Sequence, residues 1–319
     1  MPDGPAMDRS APTVPQCPIT GLPAARRIQN IPTALLTALW RVSYGVRAAR
    51  QLSVVPRFGL WEAPCGLAFF DPMIAGDKAF YDDFYRRLGR DGLWSGLVVE
   101  RFDYLRAAAL VQPGEAVLDV GCGAAGFARH VPMARYVGLD QSAGASKATV
   151  DVRGDTIAEH AETHSGAYDL ACAFHVLEHI AEPAAFVAAM VRCLRPGGRL
   201  AIAVPGWPGA MTDIPNSVMN GPPHHLTWWT ERALHALAEA CGVLVESVEK
   251  LPPSPVFSNI YWMARAAPKL TGGRFFRHAW VWYLALLWSW LAGRLCSALY
   301  RLPARAHRFE LLLVARKPG

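Results

Sequence analysis

The sequence predicts an α/β fold built on a Rossmann-like, doubly wound sheet, and two observations carry this prediction. Residues 117–126 read Val-Leu-Asp-Val-Gly-Cys-Gly-Ala-Ala-Gly, an apolar run typical of a buried strand that breaks into glycines before a helix. Gly121 permits a tight turn, Gly123 the close approach of a ligand, and Gly126 the packing of the helix on the strand. Asp140 follows 19 residues after Gly121, at the end of a second predicted strand, where a carboxylate can hold two ribose hydroxyls.

The choice of cofactor depends on Asp119, two residues before the first glycine. A carboxylate at this position would repel a pyrophosphate, whereas it would attract the ammonium group of a methionine moiety. The amides of the helix predicted after Gly126 would then face the methionine carboxylate. Cys122 and Gln141 adjoin these positions and are predicted to line the same site. The pattern therefore favours S-adenosylmethionine over NAD.

The blocks that follow make the chain resemble the class I S-adenosylmethionine-dependent methyltransferases. Tyr168–Phe174 resembles the fourth strand of that family, His175–Ile180 its Leu-Glu-His segment, and Leu194–Pro205 its turn and fifth strand. Residues 222–229, Pro-Pro-His-His-Leu-Thr-Trp-Trp, resemble a segment of the subgroup related to ubiquinone-biosynthesis and surface-glycan methyltransferases. The resemblance implies a seven-stranded sheet whose last strand, predicted within residues 309–319, is antiparallel, with S-adenosylmethionine as the cofactor.

The same resemblance predicts the helices and strands between the second and fourth strands. Gln141–Thr149 is a short connection to a third strand near Val150–Val152. Asp155 would then lie near the adenine, although a solvated loop acid is the alternative interpretation. A helix over Ala158–His164 leads to the fourth strand, whose last residue, Phe174, is predicted to contact the cofactor.

Three histidines are the candidate catalytic residues. His175 directly follows the fourth strand, and His224 and His225 come from the loop after the fifth, so all three are predicted at one edge of the sheet. Their near-neutral pKa suits a general base for a hydroxyl acceptor, although each can instead hydrogen-bond only its own loop. Ubiquinone-type relatives hold a divalent metal with acids and a histidine in the segment 175–179. Because His175 stands where one of those acids is expected, no metal site is predicted.

The N-terminal region is predicted to be disordered over residues 1–16 and then to resemble a zinc ribbon that has lost ligands. The two segments Cys17-Pro-Ile-Thr-Gly and Glu62-Ala-Pro-Cys-Gly keep one cysteine each. Structural zinc sites use four ligands, predominantly Cys and His, so we expect a metal-free β-hairpin packed by Phe69 and Phe70.

Two approach helices, over residues 79–88 and 96–110, are predicted to complete an N-terminal region spanning 17–104, before a methyltransferase-like core over 105–249. In related enzymes the first of these helices lies over the cofactor, whereas packing into the core is the alternative function of its aromatic residues. These aromatic residues, at helical spacing, are Phe80, Tyr81, Phe84 and Tyr85.

Residues 250–308 form a predicted helical insertion before the last strand, and its charge is one-sided. It carries nine Lys and Arg residues and no acid, whereas the whole chain has a net charge of +6. The 15 residues 279–293 are uncharged, fewer than the ~20 that a membrane span requires. Their tryptophans, flanked by arginines, are typical of a helix lying in an anionic lipid interface, or of an apolar cap or dimer contact.

Composition limits the remaining possibilities. A chain of 319 residues that is 52% hydrophobic can bury a large core, and seven scattered cysteines favour a reducing cytoplasm over a disulfide framework. No signal peptide is recognisable. The sequence thus predicts a cytoplasmic methyltransferase acting on a small-molecule, glycan or lipid-linked hydroxyl, with peripheral contact to the inner face of a membrane as one interpretation. An NAD-binding oxidoreductase and a non-catalytic cofactor-binding scaffold are the alternatives, and a nucleic-acid substrate is disfavoured because no base-flipping motif is present.

Overall fold

The computed structural model describes residues 14–90, 101–141, 150–270, 273–303 and 309–319. These residues form a seven-stranded mixed sheet and a four-stranded antiparallel sheet with surrounding helices. The N-terminal elements are β1 (Arg26–Pro32), α1 (Thr33–Tyr44), α2 (Ala49–Leu52), β2 (Arg57–Glu62), β3 (Ala68–Asp71), α3 (Lys78–Arg90) and α4 (Phe102–Ala108).

The core and the insertion follow. The core elements are β4 (Ala116–Val120), β5 (Arg135–Leu139), β6 (Asp151–Arg153), α5 (Ile157–Thr163), β7 (Tyr168–Phe174), α6 (Pro183–Cys193), β8 (Leu194–Pro205), α7 (Ala210–Asp213), β9 (Thr227–Trp228), α8 (Glu231–Ala240) and β10 (Leu244–Leu251). The insertion and last strand are α9 (Ser258–Ala266), α10 (Trp280–Leu299) and β11 (Glu310–Arg316). Four 3-10 turns, Gly126–His130, Leu177–His179, Val218–Asn220 and Pro255–Phe257, connect these elements.

The large sheet has the strand order β10-β11-β8-β7-β4-β5-β6. Strands β4 to β8 run parallel, and β11 lies antiparallel between β8 and β10. Every residue of β4 is buried, as expected for a central parallel strand covered on both faces. The predicted seven-stranded, doubly wound sheet with an antiparallel last strand is therefore confirmed.

The segment after the glycine loop differs from the prediction. The expected α-helix after Gly126 is a single 3-10 turn of five residues, Gly126–His130. Ala125 before it has a left-handed conformation, and Pro132 follows shortly after it, so the backbone cannot continue as a regular helix in either direction. A helix N-terminus does not supply the amides of this loop.

The other boundaries agree with the predictions to within a few residues. The third strand is Asp151–Arg153, and the helix predicted at 158–164 begins and ends one residue earlier. Residues 1–13 and 96–100 lie outside the described part of the chain. Residues 14–16, which were predicted to be disordered, lie within the described part of the chain, and Gln16 forms an isolated bridge with Pro23.

The small sheet, called here the front sheet, has the strand order β1-β2-β3-β9. The predicted hairpin corresponds to β2 and β3, and both Phe69 and Phe70 are buried. Its fourth strand, β9, comes from the segment after β8, since Ala68 and Phe69 pair with Trp228 and Thr227. The front sheet is therefore joined directly to the core.

The two remaining ribbon cysteines meet in the structure. Cys17 Sγ lies 3.7 Å from Cys65 Sγ, whereas Glu62 forms an ion pair with Arg26. The two segments that resemble ribbon knuckles therefore lie next to each other, with one cysteine from each at the contact.

The insertion forms a helical pair that is attached to the front sheet. A Cβ atom at Gly293 of α10 would lie 2.4 Å from Cγ of Met263 in α9, so glycine permits the close helix contact. Between the helices, the Gln29 side chain of β1 accepts a hydrogen bond from the Phe275 amide and donates one to the Phe276 carbonyl. Among the described residues, no helix combines the length and apolar character needed to cross a bilayer.

Candidate active site

The glycine loop follows β4, and hydrogen bonds attach it to the end of the neighbouring strand β5. Gly121 and Gly123 have φ angles of +72° and +53°, a region that glycine adopts without the strain imposed by a side chain. The Gly121 amide donates to the Leu139 carbonyl, and the Gly123 amide donates to Asp140 Oδ2 at 2.7 Å. The loop and the acid predicted to hold a ribose therefore lie together at the carboxyl edge of β4 and β5.

Asp119 is buried beneath this loop. Its carboxylate accepts a hydrogen bond of 2.7 Å from the Tyr136 hydroxyl. Burial raises the pKa of Asp119 to about 7, although the Tyr136 hydrogen bond and the positive charge of Arg101 oppose the shift. A cationic group brought to this carboxylate would favour its ionised form.

The other predicted cofactor residues divide into two groups. Cys122 is buried in the loop, and the Phe174 ring packs 4.9 Å from the Tyr104 ring. Gln141 is exposed at the end of a described stretch of chain. Asp155 instead lies against α5, with its carboxylate 3.6 Å from His160 Nδ1. The structure thus brings Cys122 and Phe174 to the loop, and Asp155 to a neighbouring helix.

Helix α4 and the residue before it contribute two residues to the site, Tyr104 and Arg101, that sequence reasoning missed. A Cβ atom at Gly126 would lie 3.3 Å from the Tyr104 ring, which therefore covers the loop. The Arg101 guanidinium stacks 4.0 Å from the centroid of that ring and forms an ion pair with Asp103. Nothing in the local sequence distinguishes these residues from an ordinary amphipathic helix.

His175 lies among carboxylates. Its Nε2 is 3.1 Å from Glu310 Oε1 and 3.9 Å from Asp103 Oδ2, and its Nδ1 is 3.4 Å from Glu178 Oε1. Burial opposes a charge on this ring, but the contacts with Glu178 and Glu310 outweigh burial and raise the pKa of His175 to about 10. The ring is therefore an imidazolium at neutral pH, which disfavours it as a general base.

His224 and His225 lie in a second cluster together with His179. One ring nitrogen from each of the three histidines lies within 4.8 Å of the others. Desolvation and the neighbouring histidines lower the pKa of both His224 and His225 well below the usual range, so these rings are neutral. The three predicted histidines thus divide into one cation and two neutral rings, and Glu178 lies between the two groups.

The histidine cluster is held in place by elements distant in sequence. The Leu226 amide donates to the Glu178 carbonyl at 2.7 Å, and the Phe70 amide of β3 donates to the Leu226 carbonyl. Trp40 of α1 donates from its indole nitrogen to the Pro222 carbonyl. The front sheet and α1 therefore position the loop that carries His224 and His225.

Helix α3 covers the boundary between the two halves of the site. Phe80 and Phe84 are buried against Trp40, whereas Tyr85 is 53% exposed. Phe80 and Phe84 thus pack into the core, as the alternative interpretation of this helix expects, whereas Tyr85 does not.

Comparison with curated proteins gives matches to methyltransferases. The chain is 35% identical over 112 residues to a ubiquinone biosynthesis O-methyltransferase of Sodalis glossinidius, a match covering 31% of this chain and 45% of the relative. It is 32% identical over 182 residues to an uncharacterized 37.1 kDa protein in transposon TN4556 of Streptomyces fradiae, which covers 50% of this chain and 51% of that protein. The chain thus spans about half the length of the curated relatives it matches.

Solved structures give looser similarities. The 1,6-didemethyltoxoflavin-N1-methyltransferase of Burkholderia thailandensis is 16% identical, with a TM-score of 0.48 over 82% of this chain and 96% of that chain. The fold assignment therefore depends on the strand order described above.

A family model matches the central part of the chain. Residues 97–248 match the model described as a methyltransferase domain. This range contains the glycine loop, Asp140 and all three predicted histidines. Residues 97–248 are therefore similar to a methyltransferase domain, in agreement with the resemblance of the sequence to the S-adenosylmethionine-dependent methyltransferases.

Proposed function

We propose that this chain transfers a methyl group from S-adenosylmethionine to an oxygen atom of a small-molecule, glycan or lipid-linked acceptor. The observation that carries the proposal is the buried Asp119 carboxylate beside the glycine loop and Asp140. S-adenosylmethionine supplies an activated methyl group on a sulfonium, so the protein mainly has to position the acceptor and assist its deprotonation.

The residues around the loop fit this cofactor. Asp119 offers a buried carboxylate to an ammonium group. Asp140 lies where it can accept hydrogen bonds from ribose hydroxyls, and a Cβ atom at Gly123 would meet nothing within 4 Å, so the backbone is open to close approach there. The aromatic pair Tyr104 and Phe174 adds an apolar wall.

The acceptor side is proposed to be the histidine cluster. His224 and His225 are neutral and buried, so they can interact with the proton of an acceptor hydroxyl, whereas His175 already carries a proton. The matched relatives named as O-methyltransferases support oxygen as the methylated atom. Roles for Cys122, Gln141 and Asp155 in cofactor binding remain part of the same proposal.

We expect the protein to bind S-adenosylmethionine and S-adenosylhomocysteine but not NAD. At a hundredfold excess over its dissociation constant, a ligand stabilises the fold by ~2.7 kcal/mol, which differential scanning fluorimetry detects. Pairing with the cofactor ammonium requires ionised Asp119, whose pKa is about 7 in the free protein. Affinity measured by calorimetry should therefore fall about eightfold from pH 7.5 to pH 6.

The variant Asp119→Asn is the matched control, because it keeps a group that can bond Tyr136 but has no charge to lose. It should bind the cofactor more weakly and without this pH dependence. Stabilisation by NAD without stabilisation by S-adenosylmethionine would contradict the proposal and favour an oxidoreductase. Cofactor binding without methyl transfer to any acceptor would favour a non-catalytic scaffold.

The outer face of α10 supports a second proposal, contact with an anionic membrane surface or a lipid-linked anionic substrate. The side chains of Trp280 and Trp288 are 73% and 57% exposed, and five leucines of the helix are exposed beside them. The segment 250–308 has only basic charges, of which Arg305 and Arg308 lie outside the described residues. Exposed indoles next to basic residues are typical of helices that lie in a lipid interface.

We expect the protein to co-sediment with phosphatidylglycerol vesicles at low salt and to dissociate at high salt, since each basic residue near an anionic surface contributes ~1 kcal/mol and salt screens it. Replacing Trp288 and Trp290 with Ser should reduce binding, whereas Leu244→Ser, at an exposed position on β10, should not. An intact protein that stays in solution with these vesicles would instead favour the cap or dimer-contact interpretation.

A further inference from the structure

The contact between Cys17 and Cys65 joins two tight turns that are far apart in the sequence. The two residues are separated by 48 positions, and their Sγ atoms lie 3.7 Å apart. Cys17 begins a turn in which the Gly21 amide donates to its carbonyl, and Cys65 lies in the turn between β2 and β3. No other two cysteine sulfurs among the described residues form a hydrogen-bonding contact. The backbone therefore holds these two thiols side by side.

The two sulfurs differ in their protonation. The Sγ atom of Cys17 accepts a hydrogen bond from the Ile19 amide at 3.5 Å, in addition to its contact with Cys65. The hydrogen bond from Cys65 lowers the pKa of Cys17 to about 5 in spite of burial, whereas this contact and burial raise the pKa of Cys65. At neutral pH the pair is therefore a Cys17 thiolate bonded to a Cys65 thiol. The thiolate is the nucleophilic form of cysteine.

The surroundings of the pair limit what can react with it. Cys17 is buried, and Cys65 is only partly buried. The pair is thus open to a small molecule on its Cys65 side, whereas a bulky disulfide such as oxidised glutathione would have to displace the turns around Cys17. A small peroxide is the class of oxidant that fits this access.

We propose that Cys17 and Cys65 are a peroxide-sensitive pair that forms a reversible disulfide bond. The Cys17 thiolate attacks one oxygen of hydrogen peroxide, the O–O bond breaks, and Cys17 becomes a sulfenic acid. The hydroxide that leaves takes the proton of the Cys65 thiol and departs as water. The Cys65 thiolate then attacks the Cys17 sulfur, the S–S bond forms, and the expelled hydroxide takes a proton from solvent to give a second water. The two sulfurs lose two electrons, which reduce the peroxide, and a dithiol reductant returns them.

The disulfide bond would fasten the turn at Cys17 to the front sheet and to the segment that follows β9. The carbonyl of Gly66, next to Cys65, accepts a hydrogen bond of 3.2 Å from the Thr230 hydroxyl. Thr230 is the N-cap of α8 and comes directly after Trp229. Since a crosslink between distant residues lowers the entropy of the unfolded chain, oxidation should stabilise the protein. This inference is independent of the proposed methyl transfer, and its test needs neither cofactor nor acceptor.

The test treats the reduced, full-length protein with hydrogen peroxide and counts its thiols after unfolding in denaturant. We expect two fewer thiols than the seven of the reduced chain, and all seven again after treatment with dithiothreitol. Mass spectrometry of a non-reducing digest should find the Cys17 and Cys65 peptides joined. The oxidised monomer should melt several degrees above the reduced one.

Two variants identify the reacting sulfurs. Cys65→Ser should form no crosslink, and its Cys17 should stop at the sulfenic acid, which dimedone captures as a stable adduct. Cys296→Ser is the matched control, because it removes another partly buried cysteine, on α10, and should form the crosslink like the unmodified protein. Melting of the reduced variants shows that each is folded.

Three results would overturn the inference. The first is that the unmodified protein keeps all seven thiols in peroxide. The second is a disulfide that maps to other cysteines or joins two chains. The third is that folded Cys65→Ser loses two thiols as the unmodified protein does.

Discussion

His175→Ala should destabilise the protein by about 3–5 kcal/mol, because it leaves buried carboxylates without their cation. The side chains of Asp103, Glu178 and Glu310 are at most 2% exposed. Arg101 already forms an ion pair with Asp103, so removing the His175 charge mainly destabilises the buried Glu178 and Glu310 carboxylates. Unfolding in urea, followed for the variant and the unmodified protein, measures the change in the free energy of unfolding.

His235→Ala provides the matched control, since His235 is exposed on α8 and its loss should change stability by less than about 0.5 kcal/mol. Adding Glu310→Gln to His175→Ala should recover part of the lost stability, because one uncompensated charge is removed. Equal stabilities of the two histidine variants would show that the carboxylates near His175 are compensated in another way.

Asp140→Ala should weaken S-adenosylmethionine binding by about tenfold to a hundredfold. A hydrogen bond to a charged acceptor contributes ~1.5–3 kcal/mol, and ~1.4 kcal/mol corresponds to a factor of ten. Asp140 follows β5 directly and already accepts a hydrogen bond from the glycine loop, so its carboxylate lies where the ribose hydroxyls are proposed to bind. Calorimetry with the cofactor at pH 7.5 measures the change.

Asp151→Ala is a suitable comparison, because Asp151 lies on β6 and forms an exposed ion pair with Arg153. It should leave cofactor affinity unchanged, and Asp155→Ala then tests whether the acid beside His160 reaches the adenine. If Asp140→Ala binds as tightly as the unmodified protein, the ribose assignment is wrong.

The sequence predicted those parts of the site that depend on local backbone geometry. The glycine loop requires positive φ angles within three residues of each other, and Asp140 follows from the strand next to it, so both are visible as short motifs. The seven-stranded sheet and its antiparallel last strand followed from the resemblance of successive blocks to the methyltransferase family. The 3-10 turn after Gly126 was mispredicted because the pattern of glycines is compatible with either helix type.

Contacts between distant segments were not predictable from local patterns. His175 and Glu310 are 135 residues apart, and only the antiparallel register of β11 on β8 brings them together. His179 joins His224 because the Leu226 amide bonds to the Glu178 carbonyl across two segments. The one signal in the sequence is that a charged residue, Glu310, stands at the start of the apolar strand β11. This signal does not indicate that His175 is its partner.

The pairing of β9 with β3 has a consequence for how this protein can diversify. The segment carrying His224 and His225 belongs to the methyltransferase domain, yet its hydrogen-bonding partner β3 lies outside residues 97–248. A substitution in the front sheet can therefore reshape the proposed acceptor side of the site, whereas the glycine loop follows β4 of the large sheet and pairs with none of the front-sheet strands. Chimeras that exchange cofactor domains between relatives would have to carry residues 26–71 and 222–229 together, because either segment alone would leave a strand edge unpaired.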